Sequence, residues 1–114
     1  MSAYLIARVD ITDWDRYREY MHHTPRVIQK FGGHFIVRGG ETITVEGPTE
    51  ESRVVVIEFP TIQQAKAFYD SAEYKRIKEF RDGAGDAQFV IVDGYSLDEW
   101  KKVAAESAEL APPE

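Results

Sequence analysis

Cysteine is absent from all 114 residues, which removes disulfide staples, zinc–thiolate sites and a cysteine nucleophile together. The absence suits a reducing compartment. Long apolar runs are also missing. The longest, such as Val54 to Ile57, are strand-sized and far short of the roughly 20 residues a membrane helix needs. The N-terminus, MSAYLIARVD, meets Arg8 before any extended apolar stretch, so neither a signal peptide nor a membrane anchor is expected, and the expected location is cytoplasmic. No Lys/Arg run interrupts the acidic excess. Fourteen basic residues against twenty acidic ones leave a formal charge of −6, a field that repels polyphosphates and anionic lipid, so nucleic acid and membrane are not expected partners. Internal repeats and low-complexity stretches are lacking too. The length fits one domain with a core large enough to stand without staples.

What is present is a regular alternation of short elements. Ala3 to Ile11 reads as a strand, with Leu5, Ala7, Val9 and Ile11 on one face and Tyr4, Ile6, Arg8 and Asp10 on the other. Thr12 can cap the helix that follows, whose Trp14, Tyr17, Met21, Thr24, Ile28 and Phe31 recur at three- and four-residue steps. Pro25 inside that run predicts a kink near His23–Thr24, with the proline opening a second short helix. Gly32 suits the left-handed position that closes the helix.

His34 to Arg38 reads as a second strand, with a bulge or turn at Gly39-Gly40 and an extended arm over Thr42 to Glu46. Arg53 to Phe59, nearly continuous in apolar residues, reads as a central strand. Thr61-x-x-Gln64 opens a helix burying Ile62, Ala65, Phe68 and Tyr69, and Ser71 caps a continuation carrying Tyr74, Ile77 and Phe80. Gln88 to Asp93 is the last core strand. Ser96-x-x-Glu99 then opens an amphipathic helix (Leu97, Trp100, Ala104), followed by a frayed tail at Pro112-Pro113. Residues 1–95 thus form the core domain and 96–114 a C-terminal helix and tail.

The order βαββαβ, closed by right-handed crossovers, gives an α+β fold with antiparallel strand order 4-1-3-2 and both core helices on one face. The other face would carry Tyr4, Ile6, Ile36, Val54, Val56, Phe89 and Ile91. An apolar patch of that size exceeds what monomers leave in water, and a second copy of the sheet is its expected cover. A homodimer is expected.

The segments YLIARVDITDWDRYREY, GGHFIVRGGE and RVVVIEFPTIQQAKAFYDSAEYKRIKEFRDGA resemble a domain-of-unknown-function family of the dimeric α/β-barrel (ferredoxin-like) superfamily. The likeness runs from Tyr4 to about Gly94, and its GGxFxVRGG and EFP stretches are the specific part. It implies a two-sheet barrel dimer with a cavity between the sheets. It implies no activity, since relatives in the superfamily include cofactor-free monooxygenases, muconolactone isomerases and haem enzymes. The sequence departs from the family pattern at Phe31, where tyrosine is commoner, and in continuing past Gly94.

Several side chains could carry chemistry. Arg8, His34 and Glu58 are expected at one end of the barrel-facing surface, with Asp10 at the rim, as a catalytic acid/base group or else a satisfied row of ion pairs. Arg38, before its two glycines, could anchor a carboxylate or phosphate, or pair with Asp93. Tyr17, Tyr20, Tyr69 and Tyr74 could wall a ligand pocket or simply pack in the core. Arg81 could meet a ligand or the C-terminal end of its own helix. His22 and His23 make no metal site, because adjacent helical side chains point about 100° apart and no i+4 partner follows. Spacing lends no support to haem, and no cofactor is expected.

Gly39-Gly40 and Gly83-x-Gly85 lack the strand–loop–helix setting of a nucleotide site, and the RNA-recognition pattern is missing. The expected function is a small homodimer enclosing a small apolar ligand between its two sheets. The alternative is a cofactor-independent oxygenase or isomerase acting on a small aromatic or lactone-like molecule, so enzyme or not stays open. A pure interaction module would instead have its barrel interior filled by side chains.

Overall fold

Alternation along β1 (Ala3–Ile11) decides which side of the molecule is dry: Ala3, Leu5, Ala7 and Val9 are buried, while the residues between them face outward. The computed structural model describes residues 1–110 and 112. After β1 come α1 (Trp14–Lys30), β2 (His34–Arg38), β3 (Arg53–Phe59), α2 (Ile62–Asp70), α3 (Ala72–Arg81), β4 (Gly85–Asp93) and α4 (Leu97–Ala108). The strands form one antiparallel sheet in the order β2-β3-β1-β4, the expected order read from the other edge. The buried rows of β1 and β3 meet Tyr17, Tyr20, Val27 and Ile28 of α1 and Ala65, Phe68, Tyr74 and Ile77 of α2 and α3 in one core. No helix among the described residues is long and apolar enough to cross a membrane.

Helix ends follow local chemistry, with one correction. Asp13, not Thr12, caps α1, accepting a hydrogen bond from the Arg16 amide at 3.2 Å. A carboxylate there also meets the positive end of the helix, which a threonine does not. Asp13→Ala should lower unfolding free energy by about 1 kcal/mol. Unchanged urea denaturation would show that this cap contributes nothing. Ser71 and Ser96 cap α3 and α4 as expected, and Thr61 accepts from the Gln64 amide at 3.1 Å. The Gln64 side chain then donates to the Phe31 carbonyl, tying α2 to the C-terminal end of α1. Gly32, with φ of 82°, completes that end in the left-handed region.

Pro25 does not break α1, which runs unbroken from Trp14 to Lys30. Proline has no amide hydrogen to offer the carbonyl four residues back, here Met21. That carbonyl accepts instead from Arg38 at 3.1 Å and from the Thr24 hydroxyl at 3.3 Å. The missing bond is replaced by one donor from within the helix and one from β2, and the helix continues.

Strand register corrects the expected faces twice. The irregularity in β2 lies between Phe35 and Val37 rather than at Gly39-Gly40. A bulge shifts the alternation by one residue. Val37 therefore pairs with Val56 on the outer face, and Arg38 pairs with Val55 on the helix side. In β4, which begins at Gly85 rather than Gln88, Phe89 lies opposite Ala7 and Ile91 opposite Leu5. Directly paired residues share a face, so both pack under the helices. Val90 and Val92, each 46% exposed, take their places outside.

Phe80 is exposed and stacks on His23, whereas Arg81 is buried. Thr42 to Glu46 is exposed and belongs to no strand. α4 buries none of its residues. The expectation of a frayed tail involves residues 111, 113 and 114, which lie outside the described residues.

Candidate functional site

The bulge in β2 and the alternation of β3 bring two arginines to the helix side of the sheet. Arg53 opens the row Arg53, Val55, Ile57 and Phe59, whose other members are core residues. Arg38 arrives there through the shifted register, with its guanidinium 4.3 Å from the centre of the Phe35 ring. Together with Tyr17, Tyr20, Met21, Thr24 and Ile28 of α1, Phe68 of α2 and Phe89 of β4, they wall a cavity between helices and sheet. Its volume of about 30 Å³ has room for about two waters.

Gly39 shapes this site by what it lacks. Its φ of 67° is left-handed, and a Cβ there would collide with the Arg53 guanidinium. The Arg53 Nη2 donates to the Arg38 carbonyl at 3.5 Å, while its Nε is buried without an acceptor. Arg81 lies behind the cavity wall, its guanidinium 4.6 Å from the centre of Phe89 and 5.3 Å from that of Tyr20. It is only 9% exposed, and its Nε also has no acceptor. Arg38, Arg53 and Arg81 make no salt bridge with a carboxylate among the described residues.

The phenols of this wall stay protonated. Burial raises the Tyr17 pKa, against the opposing pull of Arg53, Arg81 and Arg38. Burial also pushes Tyr20 well above the ordinary tyrosine value, reinforced by Tyr74, whose hydroxyl shares a 2.7 Å hydrogen bond with that of Tyr20. Tyr74 is raised by burial as well. For Arg81 burial opposes the charge, and the surrounding tyrosines outweigh it, leaving its pKa raised.

The residues singled out in the sequence divide between two places. Tyr17, Tyr20 and Arg38 line the cavity, with Arg81 behind it; Tyr69 packs on Tyr74 and Phe89 outside the lining. Arg38 meets the Met21 carbonyl rather than Asp93, which lies on the far edge strand.

Arg8, His34, Glu58 and Asp10 belong to the opposite, outer face. His34 Nε2 stands 3.9 Å from Glu58, which also accepts from Ser2 at 2.8 Å. Arg8 is not with them. It pairs across the sheet with Val54, while Glu58 pairs with Tyr4, so the two are separated by four positions, roughly 13 Å along antiparallel strands. Its contact is Glu50, at 3.5 Å, and Asp10 accepts from Ser52 at 2.6 Å. Arg53 was missed by sequence reasoning. The available signal was its parity with Val55 and Ile57, which puts a guanidinium in a core-facing row.

A family model described as a domain of unknown function, DUF1330, matches residues 2–95. No curated protein matches. Among solved structures, a protein of unknown function from Rhodopseudomonas palustris superposes with a TM-score of 0.67 at 16% identity, over 83% of each chain. A dimeric ferredoxin-like protein of unknown function from Thermobifida fusca gives 0.50 at 13% identity, over 82% of this chain and 92% of that one. A dimeric protein of unknown function with a ferredoxin-like fold from Bacteroides fragilis gives 0.51 at 10% identity, over 82% and 96%. At these identities the likeness is one of fold.

Proposed function

This chain belongs to the DUF1330 family, and we propose that it acts as a homodimer in which each subunit holds a small, largely apolar ligand between its helices and its sheet. The observation that carries this reading is the cavity itself: aromatic and aliphatic walls with few polar groups, the usual make-up of a small-molecule site. The space expected between two sheets would belong to the assembly, whereas this cavity belongs to the single chain. A ligand larger than two waters enters where the lining is least buried, past the half-buried Met21 and the exposed Arg38.

Pairing through the outer face is supported by its apolar content and by the two solved relatives described as dimeric. In that arrangement α4 offers the partner its stripe of Leu97, Trp100 and Val103, all exposed on the single chain. The oxygenase or isomerase alternative needs Arg8, His34 and Glu58 acting together, and the register sets Arg8 four positions away from the His34–Glu58 pair on the outer face. Binding is the reading the cavity supports.

Benzyl alcohol, a neutral aromatic probe, tests it by nuclear magnetic resonance. Saturable shifts at Tyr17, Met21, Thr24 and Phe35 are expected. Shifts confined to surface residues, or none, would remove the cavity as a binding site.

A further inference from the structure

We infer that the ligand of this cavity is a small planar carboxylic acid bound as its anion, with Arg53 as the principal anchor and Arg38 at the mouth. This rests on the cavity being a binding site and adds the chemical class of what it binds. A chain of net charge −6 nonetheless gathers three guanidinium groups around one apolar cavity and leaves them without carboxylate partners among the described residues. Buried donors are ordinarily satisfied, and the Nε atoms of Arg53 and Arg81 are not. Of these two, Arg53 is the one that lines the cavity.

Position argues against an incidental arginine. Arg53 stands in the helix-facing row of a central strand, and the glycine beside it leaves the space its guanidinium fills. A guanidinium fork matches the two oxygens of a carboxylate, which lysine would not. The remaining walls, Tyr17, Met21, Ile28, Phe35, Phe68 and Phe89, suit a flat apolar body. Arg81, behind Phe89 and Tyr20, adds positive potential without touching the ligand.

Calorimetric titration with benzoate and with benzyl alcohol at neutral pH separates charge from shape. Benzoate should bind at least about tenfold more tightly, as a charge-assisted pair in a dry site requires. Arg53→Gln should abolish that preference while benzyl alcohol binding persists, which also reports an intact fold; Arg53→Lys should restore only part of it. Equal affinity for the two probes, or a preference that survives Arg53→Gln, would overturn the inference and leave the cavity reading standing. Displacement of benzoate by millimolar inorganic phosphate would overturn it in favour of a phosphate site. Failure of both probes to bind would overturn it together with the cavity reading.

Discussion

Truncating Phe68 to alanine should lower the unfolding free energy by about 3–5 kcal/mol, the range for removing a buried aromatic ring. Phe68 is 2% exposed and sits at the centre of the aromatic core, its ring centre 4.7 Å from that of Tyr74, 5.3 Å from Phe59 and 6.2 Å from Phe31. Those neighbours come from α3, β3 and the end of α1, so the void left by alanine cannot be closed by moving one element. A domain of this size is stable by roughly 5–15 kcal/mol in total, so the variant approaches the limit of folding. Guanidinium denaturation should show a lower midpoint with an unchanged slope. Phe80→Ala supplies the contrast. That ring is exposed and, among the described residues, stacks on His23 alone, so its loss should stay near or below about 1 kcal/mol. Comparable losses for the two variants would mean that the core is not organised around Phe68.

The same two rings show where sequence reading succeeds and where it stops. Spacing alone puts Phe68 inward, and alternation in β1 and β2 and the apolar run of β3 give those strands their observed limits, because these signals are local. Ser71 and Thr61 declare their helices for the same reason: a hydroxyl three residues before an amide needs no tertiary partner. Phe80 misleads because a three-residue step fits either side of a broad helical stripe, and the side is decided by what packs there. Arg81 is buried against Tyr20 and Phe89 from other elements.

Beside Pro25 the Met21 carbonyl is met by Thr24 of α1 itself and by Arg38 from a different strand, and no helix-local rule contains the second contact. The bulge between Phe35 and Val37 is equally silent in the sequence, yet it sends Arg38 to the cavity and Val37 to the outer face. Grouping Arg8 with Glu58 was a different kind of error. Antiparallel pairing of β1 with β3 already separates the end of one strand from the end of the other.

Val56→Glu should weaken self-association by roughly a hundredfold or more, read by sedimentation equilibrium, since an unpaired charge buried at an interface costs about 3–5 kcal/mol. Register makes Val56 the natural place for this test. Val37, Val56, Ile6 and Val90 lie opposite one another across all four strands, an aliphatic row on the outer face. The neighbouring rows are more polar, with His34, Glu58 and Tyr4 on one side and Val54, Arg8 and Gln88 on the other. In a two-fold pair each substitution enters twice, so two carboxylates would face the seam together. Wild-type protein that is monomeric at micromolar concentration, or a variant that associates unchanged, would rule out pairing through this face. The variant should keep its far-ultraviolet circular dichroism, because Val56 points away from the helices and leaves the core untouched. It should also still bind benzyl alcohol, since the cavity lies on the other side of the sheet. Association and ligand binding are then separable: loss of both on this one substitution would mean that the cavity needs the partner to hold its shape.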